Sequence, residues 1–182
     1  TVRTLVEISV DTNLAMAEEA VKRGIRSVYT GDEYAYNSGP MIAPSQFREI
    51  FYPSLKRVIG GYKELGLLVL KHTDGNIMPI IDMIIDSGID CLDPIDPIAG
   101  MDLQSIKSEY GKKITIKGNV NCAQTLTFGS VEDTVEETKR CLEIGMEGGR
   151  YILSSSNSIH SKVKPENYIA MLDTVKKHGI YT

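Results

Sequence analysis

A unit of helical periodicity, glycine, short apolar run and polar cluster recurs five times along this chain, and that repetition limits the fold more than any single motif. Gly24 precedes IRSVYT, which runs into Gly31, Asp32 and Glu33. Gly66 precedes LLVLK, which runs into His72, Thr73, Asp74, Gly75 and Asn76. Gly88 leads to IDCL and Asp93 to Pro97, Gly111 to KITIK and Gly118 to Cys122, and Gly148 with Gly149 to RYIL and Ser154 to Ser158. Glycine closes helices because it alone enters the left-handed region without steric cost, and short β-rich runs bounded by such breakers read as strands. Helices alternating with strands imply an α/β chain with parallel pairing and right-handed crossovers. LLVLK, apolar at four successive positions, reads as a strand buried on both faces. No G-x-G-x-x-G follows the first strand and no Walker-type loop is present, so a nucleotide-binding sheet has little specific support. A TIM-type (β/α)8 barrel needs eight strands, and the five βα units seen here leave that architecture open.

The helices carry their own punctuation. Leu5, Ile8, Leu14, Ala17 and Val21 recur at helical spacing, with Asp11, Thr12 and Asn13 placed either within one helix or at the cap of a second. Tyr34 to Ala43 contains Asn37, Ser38, Gly39 and Pro40 and is long for a connection, which suits a lid or binding loop. Pro44 opens a stripe of Phe47, Ile50, Phe51, Leu55, Val58 and Ile59 that Pro53 should kink or divide. Ile77, Ile80, Ile81, Ile84 and Ile85 form an amphipathic helix with Pro79 in its first turn, and Leu103, Ile106 and Tyr110 mark the next. Ser130 with Asp133 resembles a capping box ahead of Val131 to Ile144, and Pro165 starts the last helix.

Composition excludes several classes. With 182 residues and 42% hydrophobic content, the chain suits a single domain spanning 1–182. Its net charge of -4 and lack of a Lys/Arg cluster argue against nucleic acid as a partner. No run approaches the roughly 20 apolar residues of a membrane span, and the start lacks the pattern of a signal peptide. Cys91, Cys122 and Cys141 are odd in number and unrelated in spacing, which fits reduced thiols and a cytoplasmic location. Thr1 in place of methionine suggests that upstream residues have been removed.

In a parallel arrangement all strand-end clusters face one rim, where barrels place their sites. The candidates there are His72, Asp74, Asp32 and Glu33 for catalysis, and Asp93, Asp96, Asn119, Asn121, Ser156 and Asn157 for substrate binding. His72 and Asp74, two residues apart, can point the same way and share a metal, with Cys122 or His160 completing a mixed shell. The plainer roles stand beside these. Asp32, Asp96 and Asn121 are each well placed to cap a helix or make an Asx turn, Cys122 to pack, and the serine tract to form a tight loop in place of an anion cradle.

Five stretches taken together carry a family resemblance: MIAPSQFREIFYPSLK, the H-x-D-G of residues 72–75, SGIDCLDPIDPIAGMDLQSIK, YGKKITIKGNVN, and GGRYIL followed by KPENY. In this order they resemble the carboxy-terminal half of the uroporphyrinogen decarboxylase superfamily, which includes methyltransferases that move methyl groups between a cobamide protein and a thiol such as coenzyme M. The resemblance covers nearly the whole chain and implies a (β/α)8 barrel of which this segment supplies strands four to eight. An arc of that kind exposes strand edges, so self-association is expected.

The resemblance also implies what each branch needs. The decarboxylases draw on arginines and an aspartate of the amino-terminal half and on a histidine of a late loop, where Asn157 stands here. The methyltransferases bind zinc with H-x-C and a cysteine of that same late loop. His72 matches the first ligand, while Asp74 and Asn157 occupy the two cysteine positions, which makes the shell harder and open to ions other than zinc. The leading expectation is a methyltransferase-like enzyme with a small-molecule substrate, a divalent metal and a corrinoid carried by a partner protein. The alternatives are a cofactor-free decarboxylase (a lyase) of porphyrin synthesis, and a barrel fragment without catalysis.

Overall fold

The computed structural model describes residues 1–181. Five parallel strands, β1 (Ser27–Gly31), β4 (Leu68–His72), β5 (Cys91–Asp93), β6 (Thr115–Val120) and β7 (Tyr151–Ser155), pair in that sequential order. A two-stranded antiparallel hairpin, β2 (Ala35–Tyr36) with β3 (Gly39–Pro40), stands apart from them. Helices follow the strands as the alternation predicts. They are α1 (Val2–Lys22), α2 (Pro44–Gln46), α3 (Tyr52–Glu64), α4 (Ile81–Asp86), α5 (Leu103–Tyr110), α6 (Thr125–Phe128), α7 (Val131–Met146) and α8 (Pro165–His178). The strands form an open arc of a (β/α)8 barrel.

One face of the arc is covered by helices and the other is open. Val69, Leu92 and Ile116 point to the covered face and are fully buried there, packed with Phe47, Ile59, Ile84 and Ile106 of the helical layer. On the open face Tyr29, Leu68 and Ile152 are 55%, 57% and 43% exposed. The reading of LLVLK as buried on both faces is therefore corrected. Its side chains alternate between a packed face and an open one, because five strands do not curl round far enough to cover their own concave side. Among the described residues no helix is long and apolar enough to cross a membrane.

Local choices follow from particular residues. Helix α1 is continuous through Asp11 to Asn13, since Thr12 Oγ1 and Asn13 Nδ2 each donate to the carbonyl four residues back and the helical ladder stays intact. Pro53 divides the second helical stripe as expected. A π-helical turn over Phe47–Phe51 absorbs the register change, and Pro53 then sits in the first turn of α3, where no N-H is required. Ser130 and Asp133 form the reciprocal capping box that opens α7. Strand β6 runs further than KITIK, so Asn119 lies inside it. The three cysteines are free and buried, and burial raises each thiol, that of Cys91 to about 12.

Candidate functional site

His72 ends β4 with its ring on the open face of the arc, and the two neighbouring strands send side chains toward it. Its Nδ1 lies 2.9 Å from Asp93 Oδ2 and 2.8 Å from the Tyr29 hydroxyl. Asp93, at the end of β5, is 2% exposed and collects donors from three strands: Tyr29 Oη and His72 Nδ1 at Oδ2, and Lys117 Nζ at Oδ1, 2.5 Å away. Burial alone would raise the Asp93 carboxyl, but these donors outweigh it and hold it below the ordinary carboxylate range. The hydrogen bond to Asp93 in turn raises His72, against a smaller opposing effect of burial.

The other ring nitrogen faces two carboxylates. Glu33 Oε1 and Asp74 Oδ1 stand 3.4 and 3.5 Å from His72 Nε2, and one ligand atom from each of the three residues lies within 4.8 Å of the others. Each carboxylate is pinned through its second oxygen. Glu33 Oε2 accepts the Asp74 backbone N-H at 2.6 Å, and Asp74 Oδ2 accepts from Asn157 Nδ2 at 2.7 Å. Asp74 Oδ1 is left buried without a hydrogen-bond partner, and burial together with the nearby Glu33 charge raises this carboxyl. Two carboxylate oxygens aimed at one nitrogen repel each other unless a positive charge lies between them, either an imidazolium or a cation. The atoms are a nitrogen and two oxygens, a donor set that suits a divalent ion.

A cavity of about 640 Å³ opens beside this group, lined by Glu33, Asp74, Asp96 and Asn157 with Tyr36 and Met41 of the hairpin segment. The long Tyr34–Ala43 connection is thus a hairpin at the rim. Asn76 N-H donates to Tyr36 O at 2.9 Å and ties it to the β4 loop.

The sequence-predicted residues separate into those brought together and those turned elsewhere. Glu33, His72 and Asp74 converge, with Asn157 holding Asp74 and Asp96 lining the cavity. Asp32 does not join them. Its carboxylate faces Lys71 Nζ at 3.5 Å toward the helical layer, because successive residues leave a strand end on opposite sides. Cys122 and His160, expected to complete a metal shell, are not in the converging set. Cys122 Sγ donates to Ser158 O at 3.4 Å, and His160 is exposed with Nδ1 accepting from Lys162 N. Asn119 is corrected from the rim to the strand interior, where its Oδ1 accepts from the Cys141 thiol on α7 at 3.4 Å. Asn121 caps the next turn through Gln124 N, and Ser156 Oγ accepts Cys122 N at 3.1 Å to join two loops. Asp93, expected to contact substrate, is buried against His72 Nδ1 and is not among the residues lining the cavity. Sequence reasoning missed Tyr29 and Lys117, whose one signal was a polar group at every second position of SVYT and TIK.

The sequence model of the uroporphyrinogen decarboxylase (URO-D) family matches residues 1–178. The chain is 24% identical over 177 residues to the methylcobamide:CoM methyltransferase MtbA of Methanosarcina acetivorans, covering 97% of this chain and 49% of that protein. Among solved structures, a methyltransferase from Methanosarcina mazei superposes with a TM-score of 0.79 at 22% identity, over 96% of this chain and 48% of that one. That likeness concerns the fold. The chain spans about half the length of both relatives.

Proposed function

The chain belongs to the uroporphyrinogen decarboxylase family, and from that premise we propose that it carries the metal-binding side of an enzyme for corrinoid-linked methyl transfer. The observation that supports this most is the buried, unpartnered Asp74 Oδ1, aimed with Glu33 Oε1 at His72 Nε2. Likeness to a methylcobamide:CoM methyltransferase favours the reaction class. His72 Nε2, Glu33 and Asp74 would hold a divalent ion. Asn157 would orient Asp74 as its amide donor and not as a ligand, since its nitrogen faces the carboxylate.

When bound, such an ion supplies a Lewis acid that favours the deprotonated form of a substrate thiol or hydroxyl. The chain's own residues supply the rest. Asp93 keeps the His72 ring turned so that Nε2 faces the carboxylates. Glu33 is oriented by the Asp74 N-H, and the hairpin residues Tyr36 and Met41 wall one side of the cavity in which a small molecule would lie. A corrinoid-bearing partner protein would approach from the open rim. The imidazole and two carboxylates form a harder set than one containing thiolates, so the site would accept manganese or iron(II) as well as zinc.

Elemental analysis tests this reading. Protein purified without chelators should carry about one divalent ion per chain, and His72→Ala should lose at least roughly tenfold of that occupancy. The zinc-loaded protein should also accelerate demethylation of methylcobalamin by a small thiol, followed by the cobalamin absorbance. Absence of stoichiometric metal, unchanged by His72→Ala, overturns the reading, and turnover of uroporphyrinogen by that metal-free protein would establish a lyase in its place.

A further inference from the structure

Lys117 lies on β6, two strands from β4, and Tyr29 on β1 beside β4 with its hydroxyl 2.8 Å from His72 Nδ1, and neither belongs to the converging set of ligand atoms. Both nevertheless end on Asp93, which ends on His72. We propose that Lys117 and Tyr29 are positioning residues for His72, acting through Asp93 to hold the imidazole as the Nδ1-H tautomer with the Nε2 lone pair turned to Glu33 and Asp74. The inference rests on the functional reading above for its consequence, but its geometry stands apart from any bound ion.

Proton counting around Asp93 carries the argument. The Tyr29 hydroxyl has one proton and donates it to Asp93 Oδ2. It then faces His72 Nδ1, 2.8 Å away, as an acceptor. Asp93 Oδ2, 2.9 Å from the same nitrogen, is an acceptor as well. Both neighbours of Nδ1 therefore take a hydrogen bond and neither gives one. The two carboxylate oxygens at Nε2 stand 3.4 and 3.5 Å off and make no hydrogen bond to it, so in the neutral ring the proton sits on Nδ1 and the lone pair on Nε2. A metal-binding histidine needs that tautomer, and ligand histidines commonly obtain it from a carboxylate on the other nitrogen.

Lys117 sets where that carboxylate lies. Its ammonium holds Oδ1, while the two donors at Oδ2 come from β1 and β4, so the Asp93 carboxyl is fixed from both ends in a site 2% exposed. Strand register makes this possible: His72 pairs with Asp93 across β4 and β5, and Leu92 with Ile116 across β5 and β6, which places Lys117 next to Asp93. The Tyr29 ring lies against the imidazole, with centroids 5.7 Å apart, and restricts its rotation further. Without Lys117 the carboxylate loses its anchor at Oδ1 and the ring loses its fixed acceptor.

The test uses the metal-free wild-type chain first. Long-range ¹H–¹⁵N correlation of the histidine rings, at a pH where the ring is neutral, should show His72 with Nδ1 protonated and Nε2 bare. A spectrum with the proton on Nε2 overturns the proposal, whatever any variant does. Zinc affinity, read by competition with a chromophoric chelator, should then fall about tenfold or more in Lys117→Met, as for other residues behind a ligand. Lys117→Arg, which keeps a cation at Oδ1, should restore most of it, and Tyr29→Phe, a change of one hydroxyl, should show a smaller loss of roughly threefold in the same direction. Lys117→Met that folds, binds zinc as the wild type does and keeps the same ring spectrum overturns the proposal. A wild type that binds no zinc removes the metal reading and not this one, which the ring spectrum then decides alone.

Discussion

Gly75 shows how closely single residues set this site. It lies at φ +80°, and a Cβ built there would meet Ala35 O at 2.6 Å and Tyr36 O at 2.8 Å. The glycine of H-x-D-G is thus where the β4 loop passes under the hairpin. Gly75→Ala combines a left-handed backbone cost with a clash against main chain that cannot rotate away, so the folded state should lose about 2 kcal/mol or more in urea denaturation. The Asn76 amide, bonded to Tyr36 O, should also lose protection from hydrogen exchange. A loss below about 0.5 kcal/mol, the range of ordinary surface changes, would count against this account. Residue identity made His72 and Asp74 legible before the fold was known, since a titratable pair two apart at a strand end shares a side. It did not separate Asp32 from Glu33. Adjacent residues point to opposite faces, and only the exit path of β1 sends Glu33 to His72 and Asp32 to Lys71.

Helix boundaries were the most legible elements, because caps are written in a few contiguous residues. The Ser130–Asp133 box stands as the spacing predicts, with the Asp133 N-H bonded to Ser130 Oγ at 3.1 Å and the Ser130 N-H to Asp133 Oδ2 at 2.8 Å. Helix α5 starts on a comparable device: Asp102 accepts both the backbone N-H and the hydroxyl of Ser105. Those bonds, the hydroxyl first, lower the Asp102 carboxyl below its ordinary value. A carboxylate depressed in the folded state adds stability that is present above its unfolded value, about 3.9, and disappears as pH falls through the lower folded value. Asp102→Ala should therefore cost about 1 kcal/mol at neutral pH, with the gap from the wild type closing as denaturation is measured below about pH 4. A gap that is constant from neutral pH to the acid limit would show that the cap acts without its charge. The continuity of α1 was not legible in the same way. Thr12 and Asn13 can cap or bond back to the preceding turn, and tertiary packing of Val10 and Ala17 selects the second.

The five-stranded arc leaves β1 and β7 at its edges and an open concave face that carries Tyr29, Leu68 and Ile152. Unpaired strand edges beside exposed apolar side chains favour pairing with another chain. The 182-residue chain should therefore associate in solution, with a mass by light scattering of at least a dimer that grows with concentration. A monodisperse monomer across that range would count against the prediction. Association through the concave face would cover Tyr29, so the histidine ring spectrum should be recorded at the lowest workable concentration.

The amino-acid sequence by itself determined the class of fold, because glycine-closed helices alternating with short apolar strands have few packed solutions other than parallel βα units. It also determined that polar groups gather at one rim. The tertiary structure decided which of them meet. Convergence of Glu33, His72 and Asp74 depends on the exit angles of two loops, and the Tyr29–Asp93–Lys117 support depends on the register of four strands brought side by side. Contacts between residues 21 to 64 positions apart leave no local trace in the chain, since hydrophobic pattern records which face a residue occupies and not which neighbour it finds there.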